Sequence, residues 1–121
     1  MEKDQYRSTK VKKVYTLREK DRVLKYLGSI YRNAALRMDL AENEQANSPL
    51  KNCIQDDRDF IYRIDRGLLC CRPQTQWLIR KEYLENNDAG WYLNFVSKHT
   101  FRRLKEKAVT EFFGILDLEG N

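Results

Sequence analysis

Apolar and polar positions divide the chain into stretches of different period. Residues 1–15 are polar and basic with no helical stripe, which predicts a flexible lead-in. From Thr16 the pattern changes: Leu17, Leu24, Leu27, Tyr31, Ala34, Met38 and Ala41 recur at three- and four-residue steps or their multiples, and Val23 and Ile30 widen the stripe. One long amphipathic helix over 16–42 is expected, acting as an arm or brace. Thr16 and Glu19 stand at capping-box spacing, where hydroxyl and carboxylate each accept a hydrogen bond from a free backbone N–H. The heptad-like spacing also allows a homodimer through the 16–42 helix. Polar Lys20 in the seam and an interruption at Gly28 favour packing within one chain instead.

Asn, Gln, Ser and a proline mark 43–55 as a linker, and a helix-turn-helix domain is expected over 56–118. Asp56, Asp57 and Asp59 read as favourable charge at a helix N-terminus rather than as metal ligands. The helix they open shows Ile61, Ile64, Leu68 and Cys71 on one face. Pro73 suits the first turn of the next helix, about 73–86, with Trp77, Leu78, Ile79, Tyr83 and Leu84 apolar. Asn86 to Gly90 is a turn, followed by a short helix at Gly90–Phe95 and a long one at 98–116. No segment alternates at period two, so the expected fold class is all-α.

The last helix carries the clearest polarity. On a wheel at 100° per residue, Phe101, Leu104, Ala108 and Phe112 share one side, while His99, Arg103, Glu106 and Thr110 lie opposite. Five of residues 98–107 are basic and one is acidic, with most of the charge in the first two turns, where a recognition helix meets a groove.

Val96-Ser97-Lys98, Phe101-Arg102, Leu104 and Lys107-Ala108-Val109 resemble the C-terminal half of the helix-turn-helix in sigma-factor region four. There a hydrophobic residue and Ser open the recognition helix, and a Lys-Ala-aliphatic triplet lies near its end. Upstream, Cys71-Arg72-Pro73 and Leu78-Ile79-Arg80-Lys81-Glu82-Tyr83 look like the Leu-Pro helix of that family, and the likeness covers about 68–116. Trp91 to Phe95 with the following basic run also resembles small phage and low-GC Gram-positive or mycoplasma-type regulators. Phe95 stands where the family places Gly or a small residue, so a variant of the motif is expected. The resemblance implies duplex DNA as partner and transcription regulation as role. It also implies RNA polymerase as a second partner, because region four touches polymerase.

Composition narrows this further. At 121 residues a single core is expected, and the net charge of +5 favours an anionic partner. Residues 1–25 hold nine Lys or Arg against four Asp or Glu, whereas 41–60 hold two against five, so the ends are basic and the middle acidic. One His, four Ser, five scattered Gly and no phosphate-cradling loop are thin material for an enzyme, and no catalytic residue is expected. Cys53, Cys70 and Cys71 lack zinc-site spacing, so neither a metal nor another cofactor is expected. An odd thiol count and the absence of a signal peptide or a span of roughly 20 apolar residues predict a soluble cytoplasmic protein, nucleoid-associated if it binds DNA, with no membrane partner.

The expected recognition helix is about 98–113. Arg102 and Arg103 are candidates for bidentate guanine or phosphate contacts; Lys98, His99 and Thr100 for the backbone or a base edge at the helix start. Lys105 and Lys107 are candidates for phosphate contacts, with Arg80 and Lys81 behind them. Trp91, Tyr92 and Phe95 read as packing that supports the recognition helix, ahead of a role as stacking platforms. The rival reading is an RNA polymerase-associated factor or protein-interaction module on the same fold without sequence-specific DNA binding.

Overall fold

The computed structural model describes residues 14–42 and 54–116. Four α-helices account for most of them: α1 (Leu17–Glu42), α2 (Ile54–Leu69), α3 (Pro73–Ile79) and α4 (Lys98–Ile115). A π-helical turn at Arg80–Leu84 extends α3, and a 3₁₀ turn at Trp91–Asn94 precedes α4. No strand occurs among the described residues, and the fold is all-α. Most of the lead-in and linker, Cys53 included, lies outside the described residues.

The capping box opens α1 as its spacing predicts. Thr16 N donates to Glu19 Oε1 at 2.9 Å, and Glu19 N to Thr16 Oγ1 at 3.1 Å. Helix α1 packs along α2, the π turn and α4, while α3 packs on α4. Leu24, Ile64, Leu68, Leu78, Ile79, Tyr83, Phe112 and Phe113 are all but sealed from solvent between these elements. The brace of the sequence reading is therefore part of the core. Arg37 and Asp57 fasten α1 to the start of α2 by a two-pronged pair, Nε to Oδ2 and Nη2 to Oδ1, both 2.8 Å. Asp57 thus ties two helices together besides lending its charge to the first turn of α2.

Three details differ from the sequence reading. Gly28 does not interrupt α1, which runs unbroken to Glu42. Its missing side chain lets α1 approach the π turn, where an added Cβ would collide with the Tyr83 carbonyl. That carbonyl accepts from Arg32 Nη1 at 2.6 Å, one turn further along α1. The helix expected over 73–86 ends at Leu84, its last turn widened to i→i+5 bonding, with Glu85 N donating to Arg80 O at 2.8 Å. Finally, the short helix expected at Gly90–Phe95 is a single 3₁₀ turn, Trp91–Asn94. A bulky Phe95 occupies the place of the small residue that a tight interhelical turn uses.

Candidate nucleic-acid interface

The start of α4 is fixed from both ends of its first turn. Ser97 is its N-cap, accepting from Thr100 N at 3.2 Å, while Phe101 N donates to Ser97 O at 2.9 Å. Below that turn the Tyr92 ring lies flat on Phe101, with centroids 3.8 Å apart and planes 3° from parallel. Trp91 meets Phe101 edge-on at 5.7 Å and Trp77 at 5.2 Å. Trp91 and Tyr92 therefore pack α4 against its neighbours, the supporting role expected of bulky aromatics at this point of the chain. Phe95 differs: its ring touches Trp77 edge-on at 5.5 Å, yet the residue is 62 % exposed, and neighbouring Leu93 is 53 % exposed.

With its apolar side buried, α4 presents Lys98, His99, Arg102, Arg103, Glu106, Lys107 and Thr110 to solvent. Among the described residues, Lys98, Arg102, Arg103 and Lys107 have no carboxylate at ion-pair distance. Thr100 is half-buried, its hydroxyl accepting from Ser97 Oγ at 3.1 Å, so it serves the cap.

Lys105 is a correction. The sequence placed it with the phosphate-binding cations, but its ammonium sits between Asp21 Oδ1 and Glu82 Oε2, 2.9 Å from each, with 19 % of the side chain exposed. Asp21 in turn accepts from Tyr83 Oη at 2.6 Å, and Glu82 accepts from Trp91 Nε1 at 2.7 Å. Lys105 points 40° from Phe101 on the helical wheel, close enough to the buried side to reach α1 and the π turn. The network joins α1, the π turn, the 3₁₀ turn and α4 through charge-assisted bonds.

Burial works against the charge on Asp21, but hydrogen bonds from Tyr83 and Lys105, with the Lys105 charge, outweigh it and hold the carboxyl below its usual range. Burial likewise works against charged Lys105, and the hydrogen bonds to Glu82 and Asp21 reverse this, raising its value. Burial, then the bond to Asp21, pushes the Tyr83 phenol up, so it remains a donor.

Arg80 and Lys81 each lie near a carboxylate outside α4. Arg80 Nη1 lies 3.9 Å from Asp65 of α2, and Lys81 Nζ lies 3.4 Å from Glu85 within its own segment. Tyr31 of α1 donates to the same Asp65 at 2.8 Å, which places Arg80 on the α1–α2 side of the bundle.

Two clefts flank α4. One, of about 820 Å³, opens toward α1 and is lined by Arg18, Asp21, Lys98, Arg102 and Lys105 over an apolar floor of Leu17, Tyr92 and Phe101. The other, of about 760 Å³, opens toward the start of α3, with Arg72, Arg103 and Lys107 beside Glu106 and Glu111. Glu111 is occupied in capping α3: it accepts from Arg72 N at 3.0 Å and from Thr75 Oγ1 at 2.6 Å.

Arg18 and Arg72 line these clefts and were not among the residues singled out from the sequence. Arg18 lies in the first turn of a helix whose packing partner the sequence does not name, and Arg72 precedes a proline in a segment with no charge pattern. Only the packing of α1 and α3 against α4 gives them a place beside it.

These features define the class of the protein as a single all-α bundle around a basic, half-exposed C-terminal helix. No family model, curated protein or solved structure matches the chain. Among the described residues, no His, Cys, Asp and Glu cluster in the manner of a metal site, and no helix is long and apolar enough to cross a membrane.

Proposed function

We propose that this chain binds duplex DNA with the outward face of α4 and serves in transcription, as its likeness to sigma-factor region four implies. One observation carries the reading: a helix whose inner face is sealed in the core leaves Lys98, Arg102, Arg103 and Lys107 exposed and without carboxylate partners among the described residues. A cationic side chain with no intramolecular partner retains its full attraction for phosphate, and each phosphate it neutralises releases counterions. Arg102 and Arg103 provide planar forks suited to guanine O6/N7 or to phosphate, and exposed His99 stands beside them at the helix start. Lys98 and Lys107 supply affinity with little sequence preference.

The test is titration of a labelled duplex at low salt with wild-type protein and with the double variant Arg102→Ala/Arg103→Ala. Wild type is expected to bind, with affinity falling steeply as salt rises. The double variant is expected to lose binding while its far-UV circular dichroism stays unchanged. Undiminished binding by the folded variant refutes the assignment.

A second reading, docking to a protein such as RNA polymerase, draws support from the exposed Phe95 and Leu93 beside the start of α4. It predicts an association that responds little to salt and survives nuclease treatment, with no shift of any duplex at low salt.

A further inference from the structure

We infer that the two clefts flanking α4 are seats for the two phosphate backbones that wall a DNA major groove, with Arg18 and Arg72 as phosphate contacts beyond the helix itself. The inference rests on the proposed duplex binding by α4 and names the residues that complete the interface. A helix lying in a major groove has a sugar-phosphate strand on each side, so a protein that presents one benefits from cations on both flanks of the ridge.

The geometry fits this arrangement. The ridge formed by His99, Arg103, Glu106 and Thr110 is exposed, and a cleft opens on either side of it. On the α1 side, Asp21 is the lining carboxylate, and Lys105 Nζ lies 2.9 Å from it. Arg18, Lys98 and Arg102 then supply the net positive charge, and none has a carboxylate at ion-pair distance among the described residues. On the α3 side, Glu111 is held by Arg72 N and Thr75 Oγ1. Arg72 and Lys107 flank the ridge there, opposed by Glu106. The α1 seat is the more strongly basic of the two. Lys105 and Glu111 set the clefts' walls by fastening α4 to its neighbours, so both seats are built into the fold.

The experiment is fluorescence anisotropy of a labelled 20-base-pair duplex across 50–200 mM salt, using the full chain and the exposed-site variants Arg18→Ala, Arg72→Ala and their combination. Each phosphate contact contributes a slope of about 0.9 in log affinity against log salt, a factor of roughly 3.5 over this range. Each single variant is expected to reduce the affinity ratio between 50 and 200 mM about 3.5-fold, and the pair about 12-fold, with helical content unchanged. Arg18→Lys is expected to keep the wild-type slope, and Arg63→Ala, in a groove near the C-terminal end of α4, to leave it unaltered. If wild type binds and the Arg102/Arg103 variant does not, yet Arg18→Ala or Arg72→Ala retains the full slope, the two-walled seat is overturned while duplex binding stands. Equal affinity for a single strand of the same length overturns the seat too. Failure of wild type to bind any duplex overturns both readings.

Discussion

Replacing Lys105 by Met separates the two roles that this residue can have, phosphate contact or internal fastener. Its ammonium lies 2.9 Å from both Asp21 and Glu82, and the three side chains are 15–21 % exposed. Removing one partner of a buried ion pair costs about 3–5 kcal/mol, because the other charge stays desolvated and uncompensated. Partial exposure reduces this to about 2–4 kcal/mol. At about 4 °C per kcal/mol for a domain of this size, the midpoint of thermal unfolding should fall by about 8–16 °C. The pH dependence carries a second signature. In wild type the folded Asp21 carboxyl titrates below its ordinary value, so its contribution is present above that value and is lost as pH falls through the folded one. The variant keeps the Tyr83 hydrogen bond but lacks the Lys105 cation that also lowers the value, and the stability gap between the proteins should narrow as pH falls below about 4. Urea unfolding followed by circular dichroism from pH 2 to 7 measures both effects, and duplex titration of the same variant at a temperature where it is folded measures its salt slope. A loss of stability under about 0.5 kcal/mol with a salt slope reduced by about 0.9 would show that Lys105 faces phosphate, and would refute the network.

Glycines 28 and 114 should respond to alanine with opposite signs. Helix propensity alone favours alanine by about 1 kcal/mol at each. A Cβ at Gly114 meets nothing within 4 Å among the described residues, whereas at Gly28 it lies 2.9 Å from the Tyr83 carbonyl carbon and collides with the oxygen that Arg32 engages. Gly114→Ala is expected to stabilise by up to about 1 kcal/mol and Gly28→Ala to destabilise by about 1–3 kcal/mol in urea titrations; a gain at Gly28 would disprove the close approach of α1 and the π turn. The Arg37–Asp57 pair gives the remaining prediction. The hydrogen bonds from Arg37 hold Asp57 below the usual carboxylate range. Stability from this pair is therefore present at neutral pH and lost as pH falls through the lowered value. Asp57→Asn should cost about 1–2 kcal/mol at pH 7 and flatten the acid limb below about pH 4, and an unchanged acid limb in calorimetry would count against the pair.

Local chemistry was legible in the sequence because it acts over three or four residues. The Thr16–Glu19 box placed the start of α1 and the Ser97 hydroxyl caps α4; the 3.6-residue period gave both long helices within a residue or two, and put Phe101, Ala108 and Phe112 inward and His99, Arg103 and Thr110 outward. The all-α class follows from the same periodicity. What the chain alone did not disclose is which helix lies against which, since that depends on shape and charge meeting across tens of residues. Asp21 finds Lys105 eighty-four positions away, and Gly28 owes its role to a carbonyl fifty-five residues on. Tertiary packing therefore decided that Lys105 turns inward, that Arg80 lies against Asp65 of α2, and that Arg18 and Arg72 line the clefts beside α4. A side chain's reach is set by the backbone it stands on, and its partners by whatever surface the fold brings within a few ångströms of it.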